Sequence, residues 1–225
     1  MRDRLMVALD MPDRDQALAM RDAVGDGVGW VKVGMRLFVA EGPGLVRELL
    51  GQHRVFLDLK FHDIPNTVAQ AVESAGHLGV QMVNVHASGG LAMMEAAAQA
   101  ATAFPDMLLI GVTVLTSDTR SAEEALRLAQ ERALLAKKAG LHGVVCSVHE
   151  VRAIKQECGE DFLTVTPGIR WGGQDRQDQQ RVADPAMAIR EGADYLVVGR
   201  PILQAPSPRQ AAEEAIAMMA ASRRG

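Results

Sequence analysis

Short apolar, β-branched runs alternate with longer amphipathic stretches along the whole chain, and this alternation is the strongest constraint on its fold. The runs Leu5–Leu9, Trp30–Val33, Val55–Leu59, Met82–His86, Leu108–Leu115, Gly143–Ser147, Leu163–Thr166 and Tyr195–Val198 read as strands. The stretches Asp13–Val24, Leu37–Leu50, Thr67–Leu78, Leu91–Ala103, Ala122–Ala139, Val148–Glu157, Pro185–Glu191 and Pro208–Met219 carry helical periodicity. Asp13, Ser121 and Ser207 are suitable N-caps, and Gly25, Gly51, Gly79, Gly140 and Gly192 supply stops. Strict alternation of strand and helix implies a parallel sheet with right-handed crossovers. Eight such units in 225 residues favour an α/β fold of the closed (β/α)8 barrel type, a single domain over residues 1–225. An open dinucleotide-binding sheet would need a Gly-rich first turn, and here that turn reads Asp10-Met11-Pro12-Asp13.

Hydrophobic residues make up 48% of the chain, enough for a sizeable core, yet no run reaches the length of a membrane span. The start, Met1-Arg2-Asp3-Arg4, lacks the apolar stretch of a secretory signal. Cys146 and Cys158 have no metal-like spacing and read as structural thiols in a reducing cytoplasm. A net charge of −4 without a basic cluster argues against a nucleic-acid partner.

In barrels of this type the chemistry gathers at the carboxyl ends of the strands. Those positions hold Asp10, Lys32, Asp58 with Lys60, His86, Thr116, Ser147, Arg170 and Gly199-Arg200. Scattered salt bridges would not collect at one end of every strand, so the set reads as a catalytic mouth. Asp58 and Lys60 are two apart on one strand and should share a face. Gly199 and Arg200 after the last strand, with Arg170 after the seventh, suit a phosphate. The hydrophilic segment that follows Arg170 reads as a lid over about 170–183, with Gln179 able to donate an amide hydrogen bond. His53, His77, His142 and His149 read as surface or helix-end residues, and His62 and His86 as supporting ones. Ser147 and Glu150 have capping-box spacing. Nucleophile elbows, zinc-protease helices, Walker loops and Cys-x-x-Cys pairs are absent from the sequence.

The run Asp58-Leu59-Lys60-Phe61-His62-Asp63-Ile64-Pro65-Asn66-Thr67 resembles the signature of the orotidine 5′-phosphate decarboxylase family. Ala8-Leu9-Asp10, Val31-Lys32-Val33-Gly34, Val112 to Ser117, Pro167-Gly168-Ile169-Arg170 and Val198-Gly199-Arg200-Pro201 extend the resemblance over nearly the whole chain. It implies decarboxylation of orotidine 5′-phosphate to UMP in pyrimidine biosynthesis, without metal or cofactor. Lys60 would be the proton donor and Asp58 would face the substrate carboxylate. Lys32 and Asp63 would complete a charge array, with Asp63 and Thr67 serving the neighbouring site of a homodimer. Asp10 and Lys32 would contact the ribose, Thr116 the pyrimidine, and Arg170, Gln179, Gly199 and Arg200 the phosphate. Trp171 departs from the proline that many members carry there.

The chemistry fits these residue types. Loss of CO2 from C6 leaves an sp2 electron pair orthogonal to the ring π system, so the protein must stabilise a localised anion and protonate it. An ammonium at C6 does both, and flanking carboxylates favour the charged form. Repulsion between Asp58 and the departing carboxylate, at ~4 Å and a dielectric of ~20, is worth roughly 4 kcal/mol. Enzymatic accelerations require ~8–23 kcal/mol, so repulsion contributes without carrying the reaction. Two rival readings remain: a metal-dependent sugar-phosphate decarboxylase on the same framework, and a non-catalytic nucleotide-phosphate-binding barrel.

Overall fold

The structure, a computed structural model, describes residues 1–172 and 183–222. Among the described residues eight strands run in chain order: β1 (Leu5–Ala8), β2 (Trp30–Gly34), β3 (Arg54–Phe61), β4 (Met82–His86), β5 (Leu108–Val112), β6 (Gly143–Val145), β7 (Leu163–Thr166) and β8 (Tyr195–Val198). Each pairs in parallel with its sequence neighbour, and β8 returns to β1, so the sheet closes as the alternation predicts. The helices are α1 (Arg14–Val24), α2 (Met35–Leu50), α3 (Pro65–Leu78), α4 (Leu91–Ala101), α5 (Ala122–Lys138), α6 (Val148–Cys158), α7 (Pro185–Arg190), α8 (Arg200–Leu203) and α9 (Pro208–Ala221).

Strand periodicity divides the core in two. Outward residues such as Leu5, Val7, Val31, Val33, Val55 and Leu57 pack with the helices. Inward residues Met6, Ala8, Trp30, Phe56, Met82, Ile110, Val165 and Val197 fill the barrel. Trp30 lies at the amino-terminal end, its indole N–H donating to Asp3 O at 3.1 Å and its ring meeting Tyr195 edge-on. Two residues further along their strands, Trp30 gives way to Lys32 and Phe56 to Asp58. The same period that buries the aromatics therefore aims charge into the opposite mouth.

Helix termini follow local chemistry. Asp13, Ser121 and Ser207 accept hydrogen bonds from backbone N–H groups in the first turns of α1, α5 and α9. Glu150 accepts from Ser147 N at 2.9 Å at the start of α6. Gly143 permits the close approach of β6 and β7, since a Cβ there would lie 2.1 Å from Leu163 O.

Several sequence expectations need correction. Helix α2 starts at Met35 rather than Leu37 and breaks at Gly42 (φ 66°, ψ −164°), ahead of Pro43, whose ring cannot continue the preceding turn. Strand β5 stops at Val112, short of Leu115. Thr113 N and Oγ1 both donate to Val145 O, and Arg132 occupies the Thr113 carbonyl, leaving no ladder to propagate. The additional helix α8 was hidden by its four-residue length. His53, expected at the surface or a helix end, lies just after α2 and is buried, with Nε2 2.8 Å from Gly25 O. Among the described residues, no helix is long and apolar enough to cross a membrane.

Candidate active site

The carboxyl ends of the strands surround a cavity of about 260 Å³. Asp10, Lys32, Asp58, Lys60, Thr116, Arg170, Gly199 and Arg200 all line it, beside an apolar wall that includes Val112, Val145, Cys146 and Val197. Asp63 and Thr67 are exposed and do not line this cavity. Gln179 lies outside the described residues, as does most of the expected lid. Its described flanks are tied together, with Arg170 N donating to Ala183 O at 2.9 Å and Ala183 N to Gly168 O at 3.3 Å.

At the centre lies a chain of alternating charge. Lys32 Nζ is 3.3 Å from Asp10 Oδ1 and 3.2 Å from Asp58 Oδ2, and Lys60 Nζ is 2.6 Å from Asp58 Oδ1. Asp58 thus bridges two ammonium groups. Burial alone would push its carboxyl up, but Lys32 and Lys60, with hydrogen bonds from Lys60 and Asn84, hold it below the ordinary carboxylate value. Burial would likewise lower Lys32, and the carboxylates of Asp58 and Asp10 more than offset it, leaving the ammonium above its ordinary value. Both shifts keep Asp58 and Lys32 ionised at neutral pH.

Lys60 reaches Asp58 by an irregular route. Regular alternation was expected to put both on one face, yet β3 bulges here. Leu57 pairs with Val83 and Phe61 with Val85, so Asp58, Leu59 and Lys60 stand opposite the single residue Asn84. Lys60 has φ 52° and is the only non-glycine residue with positive φ among the described residues. That conformation costs a side-chain-bearing residue about 1–2 kcal/mol.

Asn84 was missed by reading strand ends alone. It is fully buried, donates from Nδ2 to Asp58 Oδ1 at 2.7 Å and accepts from Lys60 N at 2.8 Å. A signal existed: in Met82-Val83-Asn84-Val85-His86, period two points Asn84 into the barrel with Met82, and a buried amide requires partners. His62 and His86 stack with centroids 5.5 Å apart and do not line the cavity. Burial, then Arg132, His62 and Lys60, push His86 below its ordinary value. Ser147 also lies outside the cavity lining, at the start of α6.

Among the described residues no group of three or more His, Cys, Asp or Glu side chains is placed to hold a metal ion. An arrangement of two lysines about a half-buried aspartate, in a cavity that also holds two arginines, can bind an anion at one end and place an ammonium against a developing negative charge at the other.

Comparison with known proteins gives the family. A sequence model described as "Orotidine 5′-phosphate decarboxylase / HUMPS family" matches residues 3–215. An orotidine 5′-phosphate decarboxylase of Legionella pneumophila (strain Paris) is 50% identical over 220 residues, covering 93% of this chain and 96% of that protein. One from Moorella thermoacetica is 49% identical over 226 residues, covering 94% and 90%. The crystal structure of orotidine 5′-phosphate decarboxylase from Lactobacillus acidophilus superposes with a TM-score of 0.85 at 35% identity, covering 97% of this chain and 99% of that one.

Proposed function

The chain belongs to the orotidine 5′-phosphate decarboxylase / HUMPS family, and from that premise we infer how its site turns orotidine 5′-phosphate into UMP and CO2. It is a carboxy-lyase. The observation that carries the mechanism is the Lys32–Asp58–Lys60 array inside the barrel mouth.

Arg170, Gly199 and Arg200 hold the phosphate, with Gln179 from the segment expected to act as a lid. Asp10 and Lys32 bind the ribose, and Thr116 the pyrimidine. This pose directs C6 and its carboxylate at Asp58 and Lys60. The C6–carboxyl bond breaks, CO2 leaves, and the electron pair stays on C6. Lys60, entering as an ammonium ion-paired to Asp58, stabilises that pair and then transfers a proton to C6, becoming an amine that solvent reprotonates. The Asp58 carboxylate holds the Lys60 ammonium within the site, so a fixed positive charge faces the carbon where negative charge develops. Phosphate contacts far from C6 supply binding energy to hold the carboxylate against Asp58.

Asp63 and Thr67 act in a neighbouring subunit of a homodimer. Their exposure supports this, as does the lack among the described residues of any ion pair joining Asp63 to Lys60 of its own chain. Ile64, between them, is an exposed large apolar residue at 66%, suited to burial by a second copy. The free, buried Cys146 and Cys158 fit a cytoplasmic enzyme.

A metal-dependent sugar-phosphate decarboxylase would need further acidic ligands near the array, whereas His86 at the end of β4 and Thr116 and Ser147 in the segments after β5 and β6 are not acidic. The test is a paired assay with and without exhaustive chelation, offering orotidine 5′-phosphate and a β-keto sugar phosphate. Chelator-insensitive release of UMP from the first alone is the expected result. Chelator-sensitive turnover of the second would establish the rival.

A further inference from the structure

We propose that Asn84 is a positioning residue for this reaction, an amide brace that fixes the Lys60 backbone and the Asp58 carboxylate relative to each other. The inference rests on the decarboxylase reading above and extends it to a residue outside the charge array. The bulge in β3 removes the regular ladder partner of Lys60 N, and the Asn84 side chain replaces it with Oδ1 at 2.8 Å. The same amide donates from Nδ2 to Asp58 Oδ1 at 2.7 Å, the oxygen that also accepts from Lys60 Nζ at 2.6 Å. The network fixes the amide's orientation, because a backbone N–H needs an acceptor and a carboxylate needs a donor.

No aliphatic or acidic residue of similar size could do both. Leucine would leave the Lys60 N–H without a partner, in a conformation already disfavoured by its positive φ. Aspartate could accept from Lys60 N but would set a second carboxylate against Asp58. Position 84 is fully buried, so water cannot substitute for either bond without a cavity being opened. The brace thus couples the strained backbone of the proton donor to the carboxylate that aligns its ammonium. A rotation of Lys60 toward ordinary strand geometry would break the bond from Lys60 N to Asn84 Oδ1 and carry Nζ away from the Asp58 carboxylate that Asn84 holds.

Two variants test it, each assayed with orotidine 5′-phosphate and, separately, for UMP binding and thermal stability. Asn84→Ala should lower kcat by at least about 30-fold with UMP affinity within about threefold of wild type, because UMP lacks the carboxylate that Asp58 and Lys60 address. Asn84→Asp keeps the acceptor for Lys60 N, but its carboxylate shares a proton with Asp58, while Lys32 and Lys60 face the pair from β2 and β3. Its kcat should climb with pH, by up to about tenfold per unit, over a range where wild type is flat. If only the alanine variant folds, its kcat loss at preserved UMP affinity decides the matter. Equal loss of kcat and UMP affinity, a wild-type pH profile in the aspartate variant, or failure of both to fold would overturn the proposal and leave Asn84 a structural residue. Wild-type protein that binds UMP but releases no CO2 would instead overturn the decarboxylase reading, and this inference with it.

Discussion

Replacing Asp58 by asparagine removes one charge and almost no volume, so its effects isolate the electrostatics of the site. The carboxylate lies 3.2 Å from Lys32 Nζ and 2.6 Å from Lys60 Nζ. At an effective dielectric of about 20 these separations correspond to gross attractions of about 5 and about 6 kcal/mol. Desolvation of the charges offsets much of that, and removing one member of a buried pair costs about 3–5 kcal/mol in practice. Lys32 retains Asp10 in the variant, so the lower end applies, and Asp58→Asn should lose about 3 kcal/mol in urea unfolding at neutral pH. The sign of its pH dependence follows from the depressed Asp58 carboxyl. Its stabilisation is fully present above the ordinary carboxylate pKa of about 4 and fades as pH falls through the lower folded value, so the gap should narrow in acid. In catalysis, relief of a repulsion of about 4 kcal/mol is worth a factor of about 10³ in kcat. The assay is conversion of saturating orotidine 5′-phosphate to UMP, followed spectrophotometrically. A variant as stable as wild type, with kcat within tenfold of it, would refute the reasoning.

Arg200→Ala should lose turnover with orotidine 5′-phosphate and lose little with orotidine, which lacks the phosphate; equal losses on both would remove Arg200 from the phosphate site. Mixing Lys60→Ala with Asp63→Ala, each nearly inactive alone, should restore about a quarter of wild-type activity through hybrid dimers with one intact site. No recovery after subunit exchange would place Asp63 in its own chain's chemistry. Because Asp58 is held low and Lys32 high, kcat should be flat between about pH 7 and 9, with Lys32 keeping its charge until above the ordinary lysine range. A change in kcat within that range that is lost in Lys32→Met would contradict the pairing of Lys32 described above.

The sequence made the barrel legible because strand and helix periods differ sharply and eight alternations leave few topologies. It also exposed the charged mouth, because Lys32, Asp58 and Lys60 interrupt runs that are otherwise apolar. It did not reveal the bulge in β3. Nothing in Asp58-Leu59-Lys60 marks a positive φ at a lysine, which is held by an amide from another strand. Asn84 escaped for the same reason, since its importance lies in a cross-strand pairing about 25 residues away in sequence. The break at Gly42-Pro43 was readable from composition, yet the amphipathic pattern on both sides of it carried the helix through. The burial of His53 could not be read from its place near a helix end, because its partner, Gly25 O, belongs to a different βα unit. For the bulge, Asn84 and His53 the missing information was a long-range contact, whereas the break at Gly42-Pro43 was a local preference outweighed by the pattern flanking it.

The proton that replaces CO2 on C6 is proposed to come from Lys60. The most direct measurement compares wild type with Lys60→Ala, both treated with chelator, quantifying UMP and CO2 from orotidine 5′-phosphate and UMP affinity for each. Wild type should release the two products in equal amounts. The variant should still bind UMP and turn over at least about 10⁴-fold more slowly. Folded wild-type protein that yields no UMP, or a Lys60→Ala variant that decarboxylates at the wild-type rate, would contradict it.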